Sequence, residues 1–284
     1  MDVRAPVIAG LYVPGDRPER FAKAVAAGAD QVIIDLEDAV ARERKAFARR
    51  AVADFLRTHV PDPAGAGRIA VRPNGLGTPW HRDDLAMLSG SPDPPALRLP
   101  KVEGADDIER VLTGFPVAGR PEITALIESA LGVERAFAIA GHPAVTAVAL
   151  GEADLRAQLG ITADAGLDWL RVRLVVAARA AGLDPPNMAV FPGLEDLPGL
   201  AESCRGGAAL GMLGRTAVHP RQLPVIRAAF APSEREITRA EEVLAALAGG
   251  PGAARLADGA MVDEAMAAQA RRTLKIRDLT RSAG

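Results

Sequence analysis

The chain has 284 residues, 49% of them hydrophobic and 25% charged, a balance that excludes intrinsic disorder and fits one large globular domain or two smaller ones. Its 34 basic and 36 acidic residues leave a net charge of −2 and aromatics are 4%, so no nucleic-acid partner is expected: the basic surface and stacking rings are lacking. The one cysteine, Cys204, rules out an intramolecular disulfide, and a chain of this length buries enough surface to fold without one.

The chain opens on Met1-Asp2-Val3-Arg4, which carries an acid, and Pro14-Gly15 soon cuts off the apolar run that follows. That pattern predicts a strand and a turn and not a secretion signal. No window approaches the roughly eighteen uninterrupted apolar residues of a membrane span. A cytoplasmic protein with no membrane partner is expected. From here short β-branched runs alternate with longer Ala, Arg, Glu and Leu-rich stretches. The runs Val7–Val13, Gln31–Leu36, Arg68–Arg72, Ala96–Leu99, Glu122–Ile127, Val145–Leu150, Asn187–Phe191 and Leu213–Val218 predict strands. Between and after them, Pro18–Ala27, Arg42–Arg57, Trp80–Leu88, Ala105–Leu112, Leu131–Ala140, Leu167–Ala181, Leu194–Leu210 and Pro220–Ala229 predict helices.

Eight βα units spread over about 230 residues match the length of a (β/α)8 TIM barrel. An open doubly wound sheet is the rival, because periodicity does not reveal strand order. The number of units and the lack of a Gly-x-Gly-x-x-Gly turn after the first strand favour the barrel. Beyond Phe230 the pattern changes. Ser233 and Glu236 form a capping box that opens a helix to about Leu247, Gly249-Gly250-Pro251-Gly252 breaks it, and Val262–Leu279 predicts another helix. The expected α/β fold is therefore a catalytic barrel over 1–231 with a C-terminal helical extension over 232–284.

Barrel active sites gather at the carboxyl ends of the strands, and those ends are highly polar here. Strand 2 ends in Asp35-Leu36-Glu37-Asp38, strand 3 in Arg72-Pro73-Asn74, strand 4 in Pro100-Lys101, strand 5 in Glu128-Ser129, strand 6 in Gly151-Glu152-Ala153-Asp154 and strand 8 in His219-Pro220. Carboxylates so close repel unless a cation lies among them. With oxygen donors and no His or Cys cluster, the cation is a hard one, Mg2+ or Mn2+, and neighbouring strand tips make Glu128 and Asp154 the natural pair of ligands. For Glu37, Asp38 and Glu152, helix capping stays open as well. Pro73 forces Arg72 into extended backbone, where its guanidinium is a fork for a substrate carboxylate or the partner of Asp35 or Glu37 in a buried ion pair. Lys101 could pair with an acid, bind a phosphate or form a Schiff base. His219 fits a helix start better than a base, and Cys204 fits a small buried apolar side chain better than a nucleophile.

The segments Leu11-Tyr12-Val13-Pro14-Gly15-Asp16-Arg17-Pro18, Ile34-Asp35-Leu36-Glu37-Asp38-Ala39-Val40 with Lys45 and Ala48-Arg49 behind it, Val71-Arg72-Pro73-Asn74, Leu99-Pro100-Lys101-Val102-Glu103, Ile127-Glu128-Ser129, Leu150-Gly151-Glu152-Ala153-Asp154-Leu155 and Val218-His219-Pro220-Arg221-Gln222 occur in that order. From about residue 7 to 280 the chain resembles the HpcH/HpaI aldolase and citrate lyase β-subunit family, especially its CitE-like and malyl/citramalyl-CoA lyase members. The resemblance implies Mg2+ on Glu128 and Asp154, Arg72 on the oxo-acid fragment and a homotrimer. Gly259-Ala260-Met261-Val262-Asp263 is similar to the segment that, in the CoA-ester lyases, brings a catalytic acid to a neighbour's active site; here that acid is Asp263. Pro73 and Phe191-Pro192-Gly193 depart from the family pattern near the mouth.

The activity expected is cleavage of a 3-hydroxyacyl-CoA thioester of malyl, citramalyl or citryl type into an oxo acid and an acyl-CoA. Catalytic duty falls to Arg72, Asp263, Glu37 and Asp38, substrate contact to Arg72, Glu128 and Lys101, and the CoA phosphates to Arg17 and Lys45. The alternatives are a citrate lyase β subunit acting on a carrier-protein thioester, a thioesterase, a Schiff-base aldolase on Lys101, and a non-catalytic oligomer that binds acyl-CoA or an oxo acid.

Overall fold

A computed structural model describes residues 6–59, 68–91, 93–248 and 253–281, so Met1-Asp2-Val3-Arg4 and the Gly249-Gly250-Pro251-Gly252 breaker lie outside the described residues. The chain divides into two compact units, Pro6–Ile226 and the stretch from Arg227 onward. The first unit is α/β. Strands β1 (Ala9–Pro14), β2 (Gln31–Asp35), β3 (Arg68–Arg72), β4 (Ala96–Leu99), β5 (Ile123–Ile127), β6 (Val145–Leu150) and β7 (Arg215–Ala217) form a curled sheet in the order β6-β5-β4-β3-β2-β1-β7. Every pairing between these strands is parallel. Parallel strands need crossover connections, which supply the flanking helices, and a sheet covered on both faces explains why Val32, Ile33 and Ile34 in succession are all buried.

Eight strands were expected, and among the described residues seven form. The run Asn187–Phe191 makes only single-residue parallel bridges, Asn187 to Ala149 of β6 and Met188 to Arg215 of β7. Two prolines precede it and one follows, removing the donors a ladder needs. The Asn187 amide offsets part of that loss by donating to the carbonyls of Val7 at 2.7 Å and Leu213 at 3.0 Å.

The helices follow expectation with local changes at their starts. Pro18–Arg20 and Arg42–Arg44 are 3-10 turns that lead into helices Phe21–Val25 and Lys45–Thr58. The residues after β6, read above as a strand tip, open a helix, Glu152–Leu159, which ends on Gly160 at φ 67°. Asp154 therefore sits in the first turn of a helix, where its charge favours the N-terminal dipole.

In the second unit, helix Glu234–Leu247 starts at the expected box: Ser233 Oγ accepts from the Glu236 N–H at 3.3 Å, and Glu236 Oε2 accepts from the Ser233 N–H at 2.8 Å. A short antiparallel hairpin, β8 (Ala254–Arg255) with β9 (Met261–Val262), was not expected. Gly259, at φ 86°, supplies its turn, and helix Glu264–Arg281 follows. Ala240, Val243, Leu256, Val262 and Ala270 make the core of this unit. No helix among the described residues is long and apolar enough to cross a membrane.

Candidate active site

Register brings the strand-end residues together. Asp35 stands beside Arg72 across β2 and β3. Their side chains meet in a two-pronged ion pair, Arg72 donating from Nε to Asp35 Oδ1 at 2.7 Å and from Nη2 to Oδ2 at 2.7 Å. Asp35 also accepts from the backbone N–H groups of Glu37 and Ala39, each at 2.9 Å, which fastens the loop that carries Glu37 and Asp38. The ion pair is thus the reading of Arg72 that forms. Its remaining Nη1 lies 3.3 Å from Glu37 Oε2 and 3.6 Å from Asp38 Oδ2, and makes no hydrogen bond among the described residues. Asp38 is mostly exposed and Glu37 is buried. Burial, with the charge of Asp38, pushes the Glu37 carboxyl above its usual range against the pull of Arg72 and Lys101.

Lys101 takes an unusual backbone, φ 55°, the only non-glycine with positive φ among the described residues. Such a conformation costs on the order of 1 kcal/mol and persists where the surroundings demand it. Here it aims the Lys101 N–H at Glu128 Oε1, 2.7 Å away, while Lys101 Nζ lies 3.4 Å from Glu37 Oε1. Burial alone would lower the Lys101 ammonium, but Glu37, Asp38 and Glu128 outweigh it and push the group upward. A lysine held protonated this way is a poor Schiff-base nucleophile.

Glu128 is buried, and burial followed by the charges of Glu37 and Asp154 raises its carboxyl to about 7. Its Oε2 accepts no hydrogen bond among the described residues, and Asp154, half-buried, makes none either. Gly151 makes room for this pair: a Cβ there would stand 2.6 Å from Glu128 Oε2. No group of three or more His, Cys, Asp or Glu side chains arranged for a metal occurs among the described residues. Two carboxylates with an unsatisfied oxygen fit Mg2+ all the same, since that ion keeps water and substrate oxygens beside one or two protein ligands.

Lys45 corrects one expectation. It is buried, and its Nζ donates to the carbonyl oxygens of Leu36 at 2.7 Å and Glu37 at 2.6 Å. The ammonium pins the β2 loop and is not available to a phosphate. Arg17, by contrast, is exposed, with Nε 3.9 Å from Asp16 Oδ1. Glu152 is taken up by Arg171, which donates from Nε at 2.8 Å and from Nη2 at 3.0 Å. His219 accepts from the Arg221 N–H at 3.2 Å, a helix-start role, and Cys204 is fully buried. Asp263 belongs to the second unit, where its Oδ1 accepts from the Met266 N–H at 3.0 Å and caps helix Glu264–Arg281.

Sequence reasoning missed two features of this rim. Asp84 Oδ2 accepts from the Asn74 N–H at 2.9 Å and its side-chain amide at 2.6 Å, while Asp84 Oδ1 accepts from Arg49 Nε at 2.8 Å, which fixes the loop after β3. Arg98, inside β4, was passed over although a charge within the run Ala96-Leu97-Arg98-Leu99 was visible.

A profile of the HpcH/HpaI aldolase/citrate lyase family matches residues 9–220. A (3S)-malyl-CoA thioesterase of Cereibacter sphaeroides is 36% identical over 274 residues, covering 93% of this chain and 92% of that protein. A citrate lyase subunit beta-like protein of Mycobacterium tuberculosis is 36% identical over 286 residues, covering 97% of each chain. The crystal structure of CitE from Mycobacterium tuberculosis with magnesium, acetoacetate and coenzyme A aligns with a TM-score of 0.82 at 34% identity, covering 97% of this chain and 99% of that one. The chain belongs to the HpcH/HpaI aldolase/citrate lyase family.

Proposed function

We propose that the chain is a Mg2+-dependent carbon-carbon lyase that cleaves a 3-hydroxyacyl-CoA thioester of malyl, citramalyl or citryl type into an oxo acid and an acyl-CoA. The observation that carries this reading is the buried Glu128 carboxylate, facing Asp154 and beside the Arg72, Glu37 and Lys101 cluster, with an oxygen left for a hard cation. The CitE relative that binds magnesium, acetoacetate and coenzyme A supports it. So does a closed (β/α)8 arrangement, which the bridges of Asn187 and Met188 to the two edge strands favour.

Glu128 and Asp154 would hold the ion, which when bound supplies a Lewis acid and a template for the oxo-acid oxygens. Arg72 steadies the substrate carboxylate through Nη1, its other nitrogens being committed to Asp35. Glu37, a buried carboxylate whose affinity for a proton is raised by burial, takes the hydroxyl proton, with Asp38 beside it at the rim. The C–C bond then breaks, the hydroxyl carbon becomes a carbonyl and the electron pair passes to the enolate of the acyl thioester. Asp263, contributed by a neighbouring copy, delivers a proton to the enolate carbon of the acyl thioester, giving the acyl-CoA. Arg17, exposed at the same rim, suits a CoA phosphate. An exposed apolar row on helix Asp168–Ala180, Trp169, Val172 and Val176, supports association of copies, for which we propose a cytoplasmic homotrimer.

Hydrolysis of the same thioester is the second reading, favoured by the thioesterase relative. Incubation with Mg2+, an oxo acid (glyoxylate, pyruvate or oxaloacetate) and acetyl- or propionyl-CoA separates the two. Condensed thioesters detected by mass support the lyase. Failure to condense, with free CoA and a hydroxy acid released from a malyl thioester, supports the hydrolase. Free CoA thioesters accepted without a carrier protein distinguish either from a citrate lyase subunit. Loss of turnover on chelation sets both apart from a Schiff-base aldolase, and any turnover sets them apart from a sensor.

A further inference from the structure

We propose that Arg98 reads a second carboxylate on the oxo-acid half of the substrate, so that cleavage releases an oxodicarboxylate. This deepens the functional reading above and rests on it. Leu97 and Leu99 of β4 are fully buried, and Arg98 between them is only 4% exposed. Because Val71 pairs with Leu97, Arg98 falls in the row of Arg72 on the adjacent strand, and side chains in one row of a parallel sheet share a face. Both guanidiniums lie against one ring: the Tyr12 centroid is 4.9 Å from Arg72 Cζ and 5.5 Å from Arg98 Cζ. Arg98 therefore lies on the inner face with the strand-end cluster.

Its charge has no counter-ion among the described residues. Arg98 makes no hydrogen bond or ion pair among the described residues, and its Nε is buried without a partner. Arg171, also buried, is satisfied by Glu152, Asp164 and Asp168. Buried Arg215 shares the lack of an ion pair among the described residues and leaves Nε and Nη1 without a partner, but it donates to Ser203 Oγ at 3.0 Å, whereas Arg98 donates to none. An uncompensated buried cation is costly, and no acid among the described residues pairs with it: Asp35 goes to Arg72, and Glu128 Oε1 to the Lys101 N–H. Aliphatic packing would fill this position without the cost. A planar fork with free N–H groups matches a carboxylate, and that carboxylate comes with the ligand. With the first substrate carboxylate at Arg72 Nη1, a monocarboxylic oxo acid leaves Arg98 unpaired, whereas a dicarboxylic one engages both arginines.

The test is calorimetric binding of oxaloacetate and of pyruvate, with Mg2+ present, to the full chain and to Arg98→Met and Arg98→Lys. The unaltered protein should bind oxaloacetate at least about tenfold more tightly than pyruvate, the size of one charge-assisted interaction. Arg98→Met should bring that ratio below about threefold with pyruvate affinity unchanged, and Arg98→Lys should retain part of it. Removing an unpaired buried charge should leave Arg98→Met folded, with a melting temperature no lower than that of the parent. A ratio that persists in Arg98→Met, or pyruvate binding that falls in step with oxaloacetate binding, overturns the proposal. Binding of neither acid by the unaltered protein overturns the functional reading itself.

Discussion

The first turn of helix Glu152–Leu159 holds two acids, two residues apart, with opposite fates. Glu152 is buried and locked by the bidentate Arg171, which Asp164 and Asp168 also engage at 2.9 and 3.0 Å. Asp154 has no such partner among the described residues, and its charge helps push the Glu128 carboxyl up to about 7. An acid neutralised by its own chain is structural, and a pair of acids left to repel each other marks where an external cation belongs. The same contrast separates Arg72, whose charge is paired with Asp35, from Arg98, which has no counter-ion among the described residues.

The difference between the two acids should show most strongly in turnover. Glu128→Gln should lower Mg2+-dependent activity by a factor on the order of 1000 or more while the protein stays folded, because only the charged oxygen donor is lost. Wild-type rates in that variant would remove the metal assignment. Deletion of residues 258–284 should likewise abolish thioester cleavage; a truncated protein that still cleaves at the parent rate would refute the role of Asp263. On the structural side, Arg171→Met should cost about 3–5 kcal/mol in denaturant unfolding, since it strands buried Glu152. Gly151→Ala should weaken both the fold and Mg2+ binding, because the new methyl group would stand 2.3 Å from Glu128 Cβ and 2.6 Å from its Oε2; unchanged affinity would argue against that geometry.

The smallest effect is on pH dependence. The folded chain holds a proton on Glu128 up to about 7, against 4.5 ordinarily, so between those values the native state binds more protons than the unfolded one. Stability of the metal-free protein therefore falls as pH rises through that window, and Glu128→Gln should flatten the slope. Mg2+ competes with the proton, so it should raise the melting temperature more at pH 8 than at pH 6. Equal shifts at the two pH values would contradict this.

Much of the rim was legible because it depends on residue type at a strand end. Asp35, Arg72, Lys101 and Glu128 each follow or close an apolar run, and parallel register then assembles them. What the sequence hides is how far each charge is already satisfied. Lys45 reads as a free cation behind a motif, yet it begins helix Lys45–Thr58 and turns back onto the carbonyls of Leu36 and Glu37, a contact set by how the helix packs on the sheet. Asn187–Phe191 has strand-like composition, but the prolines on either side restrict it to bridges at Asn187 and Met188. The hairpin of β8 and β9 is too short for alternation to reveal. Arg98 could have been singled out as a charge in a fully apolar strand, though not as one lacking a partner.

In the proposed site Glu128 and Asp154, and not their neighbour Glu152, hold the divalent ion. Calorimetric titration of Mg2+ into Asp154→Asn and Glu152→Gln tests it directly. Asp154→Asn should lose Mg2+ affinity by about 10- to 100-fold or more, while the folded Glu152→Gln protein binds as the parent does. Parent-like binding by Asp154→Asn, or loss of binding confined to Glu152→Gln, would contradict it.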